Sequence, residues 1–247
     1  MGVQTEALAR RFRKVYALDP VWQRLRFTSI RVQQENLHNV ELMQASIAKI
    51  PLGDDFLDMI LMIGILEWVG EWIQDDTPRN VQLRTLRDLR RKLRPGGELL
   101  IGIENRFGYG FLSGRRRDHS GIPLTSVMPR WMADIATFLW GRKDYRHQPT
   151  QQLLKTYRTY TYSQFSYRKL LGQAGFRDIQ IFFCWPGYNL PCFICPLDDR
   201  KALGRLLQDN LLGNTFPKRV KRSILTVAIR AGAIRFFAPD FLILCRR

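Results

Sequence analysis

Two polar residues follow a predicted strand near the middle of the chain, at a place where a substrate could meet them. The strand runs from Glu98 to Glu104, and Asn105 comes next. In open α/β sheets, ligands bind outside the carboxyl ends of the strands. Glu104 and Asn105 are therefore candidates to orient a substrate, and Asn105 is also a candidate catalytic residue. The alternative is that both side chains cap the turn itself.

A histidine lies in the arginine-rich stretch after this strand, directly behind Asp118. The unperturbed pKa of an imidazole suits a general base, and a hydroxyl that has to lose its proton needs one. We therefore take His119 and Asp118 as further candidate catalytic residues. A loop histidine that bonds to backbone is the alternative for His119. Tyr162 and Tyr188 are candidates to line the same pocket, although aromatic residues at such places often belong to the core.

A cysteine pair offers a different chemistry. Cys192 and Cys195 have the spacing of metal ligands, but the chain has no second pair of this kind. Its three histidines show no paired spacing with the cysteines. Because a zinc site needs about four ligands, small apolar filling of a strand is the preferred interpretation. We predict no metal.

The strand before Asn105 belongs to a predicted α/β unit. A helix from Arg79 to Leu93 repeats leucine at helical spacing. Pro95 cannot continue this helix, and Gly96 and Gly97 accept the positive φ of a sharp turn. We therefore predict a tight turn between the helix and the strand.

Helices and strands alternate through the first half of the chain. The first predicted helix is capped by Thr5 and has Leu8, Phe12 and Val15 on one face, and strand 15–18 follows it. The second predicted helix runs from 20 to about 35 with Val21, Leu25 and Val32 inward. Strands 40–43 and 57–63 come next. The run from Leu57 to Ile63 is continuously apolar, which is typical of a strand covered on both faces. Such alternation predicts a parallel sheet with right-handed crossovers.

The pattern changes after Asn105. Residues 106–160 are rich in glycine, arginine and aromatic residues, with one predicted helix near Trp131 to Trp140, and we interpret them as a substrate-side insertion. The elements predicted after it are a helix through Leu171, strands 179–185 and 241–245, and a basic amphipathic segment from Phe216 to Phe237. We predict one domain over residues 1–247, made of parts 1–105, 106–160 and 161–247.

The chain is strongly basic. Its 39 lysines and arginines against 22 acidic residues give a net charge of +17, which attracts polyanions such as nucleic acid or anionic lipid. A basic proteome or a solvated helix face is the alternative. The N-terminus has no apolar core of a secretion signal, and charged residues interrupt the apolar stretch 224–245. We predict a cytoplasmic protein, soluble or peripheral to a membrane.

Several segments together fit one family pattern. They are Gln44 to Leu52, Asp54 to Asp58 leading into the apolar strand, Ile65 to Val69, and the Leu-Arg-Pro-Gly-Gly strand. This series resembles the class I S-adenosylmethionine-dependent methyltransferases, particularly the type 11 branch, over residues 1–105. The resemblance implies a Rossmann-like, mostly parallel sheet with helices on both faces, and S-adenosylmethionine as cofactor. The Ile-Glu-Asn-Arg and Asp-His segments resemble a bacterial subgroup associated with glycan or cell-envelope biosynthesis.

The resemblance also implies cofactor-binding positions. Asp19, at the end of a strand, is implied to hold the ribose diol. Ser46 stands where many relatives carry an acid for the adenine amine, so that contact is weakened or replaced. The backbone of Ile47 is implied to meet the adenine ring, and the carbonyl of Ile63 to face the methionine part.

The beginning of the chain departs from the family pattern. Relatives open with a strand and a glycine-rich turn, whereas Met1 to Thr5 lead directly into a helix, and only Gly2 matches the last glycine of that turn. The chain thus lacks the first strand, which is normally central, and its loss leaves backbone groups to be satisfied at a desolvation cost. A truncated start and a degenerate relative that no longer binds the cofactor are the two explanations. We favour truncation, because the rest of the pattern is intact.

The expected function is methyl transfer from S-adenosylmethionine to a small-molecule or glycan acceptor, impaired if the N-terminal motif is missing. The basic surface is compatible with a phosphorylated or lipid-linked acceptor, and it favours nucleic acid less. The alternative is a non-catalytic relative that binds polyanions or a membrane surface.

Overall fold

The computed structural model describes residues 2–112, 119, 121–140, 156–210, 223, 227 and 231–247. The chain forms two compact units, Met1–Gly53 and Asp54–Arg247.

The first unit pairs two parallel strands with two helices. Its elements are α1 (Val3–Ala9), β1 (Val15–Asp19), α2 (Trp22–Gln34) and β2 (Val40–Gln44). The strands β1 and β2 pair in parallel from Val15 opposite Val40 to Asp19 opposite Gln44. Both predicted strands are confirmed, each with one further residue at its end.

The helix α1 begins earlier and ends earlier than predicted. Gly2 precedes it with φ 77°, so Thr5 lies inside the helix and its predicted role as a cap is wrong. The helix ends at Ala9 because the side-chain amide of Asn39 donates to the carbonyls of Ala9 (2.8 Å) and Phe12 (2.7 Å). Phe12 is exposed rather than part of a buried helical face.

The start of α2 also differs from the prediction. The carboxylate of Asp19 accepts the N–H of Val21 at 2.9 Å, which holds Val21 extended in front of the helix. Val21 is therefore exposed, and its predicted inward position is wrong. Leu25 and Val32 are buried as predicted.

The second unit contains a five-stranded sheet. Its strands are β3 (Leu57–Ile63), β4 (Leu93–Glu104), β5 (Arg177–Trp185), β6 (Phe193–Pro196) and β7 (Asp240–Arg246). The spatial order is β3-β4-β7-β5-β6. The pair β3–β4 is parallel, and β7 lies antiparallel between β4 and β5, so β3, β4 and β5 run the same way. The predicted Rossmann-like α/β class is confirmed.

The helices of this unit include the predicted ones. They are α3 (Val69–Trp72), α4 (Pro78–Lys92), α5 (Tyr109–Leu112), α6 (Arg130–Trp140), α7 (Gln164–Gln173), α8 (Arg200–Asn210) and α9 (Ile234–Phe237). Thr77 caps α4, because its hydroxyl accepts the N–H of Asn80 at 3.3 Å. Most of the predicted basic segment 216–237 lies outside the described residues. None of the described helices combines the length and apolar character that crossing a bilayer requires.

The strand β3 is less covered than its apolar sequence predicts. In the described part of the chain it lies at the edge of the sheet, beside β4 alone. Of its seven residues only Met62 is buried, and the others are half-buried or exposed. The prediction of a strand covered on both faces is therefore wrong for β3, because all of its residues except Met62 keep part of their surface accessible.

The Pro-Gly-Gly segment is a bulge inside β4 rather than a turn before it. Leu57 pairs with Leu93 and Met59 pairs with Glu98, so two steps along β3 match five along β4. Gly96 has φ 78°, as the predicted turn required. A Cβ on Gly97 would lie 2.9 Å from the carbonyl of Arg94. The two glycines therefore allow the backbone to fold back on itself at this point.

The core of the second unit lies along β4, α4, α7 and β7. Its buried side chains include Leu86, Leu89, Leu93, Leu99, Ile101, Ile103, Tyr167 and Phe241. This core fixes the carboxyl end of β4, where the candidate site lies.

Candidate functional site

Two buried carboxylates lie at the carboxyl ends of the parallel strands β3 and β4. Glu67 comes four residues after β3 and has no exposed surface, and Glu104 ends β4 and is 2% exposed. Burying carboxylates is costly unless they find hydrogen bonds or cations. The residues around them therefore determine what this site can do.

Two tyrosines hold Glu104 in place. The hydroxyl of Tyr188, from the loop after β5, donates to Glu104 Oε1 at 3.0 Å. The hydroxyl of Tyr167, from α7, donates to the Glu104 carbonyl at 3.1 Å. Tyr188 can approach because Gly64 and Gly102 have no side chains. A Cβ on Gly64 would lie 3.1 Å from the Tyr188 hydroxyl, and a Cβ on Gly102 would lie 3.0 Å from the Tyr188 ring. Glu104 is thus fixed at both its side chain and its backbone.

His119 is beside the same carboxylate. Its Nε2 lies 3.6 Å from Glu104 Oε2, an ion-pair distance when the imidazole is protonated. The imidazole also packs against Trp68, with 4.5 Å between ring centroids. The predicted partner Asp118 lies outside the described residues. The carboxylate that the structure places beside His119 is Glu104.

Burial, together with the surrounding negative charge, keeps the tyrosines protonated. Burial raises the pKa of Tyr188 above its usual range, and the negative charges of Glu104, Glu67 and Asp240 raise it further. Burial raises the pKa of Tyr167 in the same way. Both phenols are therefore hydrogen-bond donors and not bases at neutral pH, which leaves His119 as the group of this cluster suited to accept a proton.

The cluster also has the composition of a cation site. Glu67, Glu104 and His119 each offer one ligand atom, and these atoms lie within 4.8 Å of one another. Carboxylate oxygen and imidazole nitrogen are common ligands of divalent cations. The cysteines do not take part in this group: Cys195 is buried in β6 and Cys192 is exposed.

Asn105 holds backbone in place. Its amide nitrogen donates to the carbonyls of Phe236 (2.8 Å) and Ala238 (2.7 Å), and its oxygen accepts the N–H of Phe107 at 3.1 Å. These contacts match the turn-capping alternative. A catalytic role for Asn105 stays a prediction.

Four of the five predicted cofactor-binding residues lie in the first unit, at a helix start and at strand ends. Gly2 precedes α1 in the left-handed region, a conformation that fits the last glycine of a glycine-rich turn. Asp19 ends β1, and its partly exposed carboxylate accepts the N–H of Val21. Ser46 and Ile47 follow β2, where the Ser46 hydroxyl accepts the N–H of Ala48 at 3.2 Å. These positions suit a ligand at the carboxyl edge of parallel strands.

Ile63, the fifth, ends β3 in the second unit and is half-buried. Its position at a strand end is as predicted. Contact of any of the five residues with a cofactor stays a prediction.

Comparison with known families shows what part of this chain resembles. Residues 1–101 match the family described as a methyltransferase domain. This part of the chain is similar to the class I methyltransferases, which use S-adenosylmethionine, and the matched residues include Asp19, Ser46, Ile47 and Ile63. No curated protein matches the chain.

Solved structures resemble this chain at low identity. The [4+2]-cyclase SpnF is 13% identical over 100% of this chain and 70% of its own, with a TM-score of 0.50. A methyltransferase from Thermotoga maritima, described as a possible histamine N-methyltransferase, is 15% identical over 100% and 79%, with a TM-score of 0.48. A methyltransferase from Aquifex aeolicus is 23% identical over 54% and 63%, with a TM-score of 0.38.

The chain therefore spans less than two thirds of the Aquifex aeolicus structure. The likeness to SpnF shows the fold, and because SpnF is a cyclase, the fold alone does not decide the reaction.

Sequence reasoning missed part of the candidate site. It singled out His119 and Glu104 but gave no role to Glu67 or Trp68. One signal was available, since Glu67 is a charged residue inside the apolar run Ile65 to Val69. A charge in such a run is buried with the run, and buried charges mark functional sites more often than exposed ones do.

Proposed function

We propose that this protein transfers a methyl group from S-adenosylmethionine to a hydroxyl of a small-molecule or glycan acceptor, with His119 as general base. The observation that carries the proposal is the pair formed by His119 Nε2 and the buried Glu104 carboxylate, 3.6 Å apart, at the carboxyl end of β4. A hydroxyl is a weak nucleophile until a base takes its proton.

The residues around His119 suit this proton transfer. A carboxylate beside Nε2 favours the tautomer with its proton on Nε2, which leaves Nδ1 to accept the acceptor's proton. The imidazolium that forms is then stabilised by Glu104. Tyr188 donates to the other oxygen of Glu104 and so keeps the carboxylate directed at the ring.

The cofactor supplies an electrophilic methyl group when it is bound. The carboxylate of Asp19 is the acceptor for the ribose diol, as its place at the end of β1 supports. Gly2, Ser46, Ile47 and Ile63 are the further residues that we propose for cofactor contact. The serine hydroxyl has no charge, so its adenine contact is weaker than that of an acid.

Calorimetry with S-adenosylmethionine tests the cofactor half of the proposal. We expect the protein to release heat on binding, and Asp19→Ala to weaken the affinity at least about tenfold, since two hydrogen bonds to a charged group are lost. Absence of heat with the unaltered protein would refute cofactor binding by this chain. It would favour the second candidate function, a non-catalytic relative that binds polyanions, which the net charge of +17 supports.

Methyl transfer from tritiated cofactor to a panel of hydroxyl-bearing sugars tests the catalytic half. We expect His119→Gln to bind cofactor normally and to lower kcat about 10²- to 10⁴-fold. His38→Gln is the matched control, because His38 is exposed in the first unit. Equal kcat for the two variants would exclude His119 as the base.

The acceptor's charge is a separate part of the proposal. A net charge of +17 supports a phosphorylated or lipid-linked glycan over a neutral one. We expect KM for such an acceptor to rise steeply with added salt, because screening shortens the range of the attraction. A KM that is independent of salt would remove this part of the proposal and leave methyl transfer intact.

A further inference from the structure

The helix α6 (Arg130–Trp140) presents its large apolar side chains to solvent. Those exposed are Trp131, Met132, Ile135, Phe138, Leu139 and Trp140, each between 39% and 69% accessible. Its buried residues are small: Ala133, Ala136 and Thr137. A surface helix of a globular protein normally places its large apolar residues toward the core. In α6 this arrangement is reversed.

The exposed residues form one continuous surface. At 3.6 residues per turn, Trp131, Met132, Ile135, Phe138 and Leu139 occupy an arc of about 120°. The buried small residues lie on the other side of the helix. The two charged residues of α6 lie outside this arc and contact other parts of the protein. Arg130 stacks 3.9 Å from the ring centroid of Tyr160, and Asp134 accepts the N–H of Tyr157 at 2.8 Å. We call these five residues the α6 apolar face.

The protein's charge indicates what covers this face. The chain carries +17, and Arg142, Lys143 and Arg146 follow α6 in the sequence. A helix with exposed apolar side chains that include tryptophan, in a strongly basic protein, has the composition of helices that lie in the interface of an anionic membrane. Lysine and arginine near such a surface add electrostatic attraction to acidic headgroups.

We propose that the α6 apolar face docks this protein on the surface of an anionic lipid membrane. The helix lies in the interface with the five side chains of the face among the headgroups and upper acyl chains, and the net charge of +17 attracts the protein to acidic headgroups. This docking is independent of the proposed methyl transfer. It would bring the protein to a surface where lipid-linked acceptors are found.

Sedimentation of the full chain with lipid vesicles tests the proposal. The probes are vesicles of phosphatidylcholine mixed with phosphatidylglycerol and vesicles of phosphatidylcholine alone. We expect binding to the anionic vesicles, and weaker binding to the neutral ones or in high salt. The double variant Ile135→Glu with Phe138→Glu should lower the bound-to-free ratio at least about tenfold, because two apolar side chains no longer enter the interface.

A matched double variant separates the apolar face from overall charge. Phe27 and Ile30 in α2 are also exposed, are of the same two residue types and have the same spacing of three. Phe27→Glu with Ile30→Glu changes the net charge equally, and we expect it to retain most of the binding. Thermal unfolding and cofactor calorimetry on both variants verify that each is folded.

Three results would overturn the proposal. The first is no binding of the unaltered protein to anionic vesicles, and the second is equal loss in both double variants, which would assign binding to net charge alone. The third is a dimer in light scattering that only the α6 variant loses, without vesicle binding, which would assign the face to a second copy of the chain. In each case the heat of cofactor binding and kcat would be unaffected, so that methyl transfer is judged separately.

Discussion

Glu104 is the residue on which the candidate site depends. Its side chain accepts from Tyr188 and lies beside His119, and its carbonyl accepts from Tyr167. A carboxylate that is almost fully buried has little water to replace a lost partner. The hydroxyl of Tyr188 therefore contributes both to the stability of the second unit and to the orientation of Glu104.

Replacing Tyr188 tests this dependence. We expect Tyr188→Phe to lower the free energy of unfolding by about 1–3 kcal/mol, since the buried Glu104 loses a donor. Tyr160→Phe is the control, because its ring, which stays in the variant, makes the contact with Arg130. Urea denaturation measures both, and equal losses in the two variants would show that the Tyr188 hydroxyl has no special role.

The residues of the site were only partly predictable. Asn105 and Glu104 could be identified because polar residues at the end of a predicted strand can be recognised in the sequence alone. The pairing of His119 with Glu104 was not visible, since their approach depends on the path of residues 106–118. Nor was the contact with Tyr188, which is far away in sequence and needs the space left by Gly64 and Gly102. Sequence patterns identify residue types at element ends, whereas partners across loops depend on packing.

At the scale of elements, the Pro-Gly-Gly sequence predicted the backbone conformation correctly but not the position of the segment relative to β4. Gly96 has the predicted positive φ, yet the segment interrupts β4 as a bulge. The pairing of Leu57 with Leu93 extends the ladder back to the first residue after α4. Such long-range pairing is not encoded in the local pattern that predicted a turn.

Gly97 is the position in this bulge where a side chain cannot fit. A Cβ there would lie 2.9 Å from the Arg94 carbonyl and 3.1 Å from the Asp58 carbonyl, both rigid backbone atoms. We expect Gly97→Ala to lower the free energy of unfolding by about 1–3 kcal/mol, the usual cost of overpacking. Thermal and urea unfolding of the purified variant measure the loss.

A second glycine provides the control for Gly97. Gly172 lies in α7, and a Cβ on it meets nothing within 4 Å. Gly172→Ala should leave stability unchanged or raise it by up to about 1 kcal/mol, because alanine favours the helix. If both alanine variants had the same free energy of unfolding, the close backbone contacts around Gly97 would not exclude a side chain there.

The helix starts illustrate the same limit. Thr77 was not singled out and caps α4, whereas Thr5 was predicted to cap α1 and lies within it. Both residues precede apolar periodic segments, so the local pattern did not separate them. Gly2, with its positive φ, and Pro78, at the first turn of α4, are the neighbours that decide where each helix begins.

At the scale of the whole molecule, alternation of helices and strands was enough to predict the fold class, and it could not predict how the sheet is divided. The β1–β2 pair and the five-stranded sheet belong to different units. The order of strands along the chain is a property of the sequence. The order of strands in space, with β7 between β4 and β5, follows from which apolar faces pack together.

The buried thiols make the stability of the protein sensitive to alkaline pH. Burial raises the pKa of Cys184 and of Cys245 from an ordinary 9.0 to about 12. Between these values an unfolded thiol has lost its proton, while the folded one keeps it. The unfolded chain then binds fewer protons, so the free energy of unfolding falls as pH rises, by at most about 1.4 kcal/mol per pH unit for each thiol.

Urea denaturation at several pH values between about 8 and 11 measures this slope. Cys245→Val keeps an apolar side chain in β7 and removes one ionising group, so we expect its slope to be shallower than that of the unaltered protein. Cys192→Val is the control, because Cys192 is exposed. Buried tyrosines such as Tyr188, whose pKa is also raised, steepen the fall above about pH 10 in all three proteins. A slope that Cys245→Val leaves unchanged would mean that this thiol ionises as readily in the folded protein as in the unfolded chain.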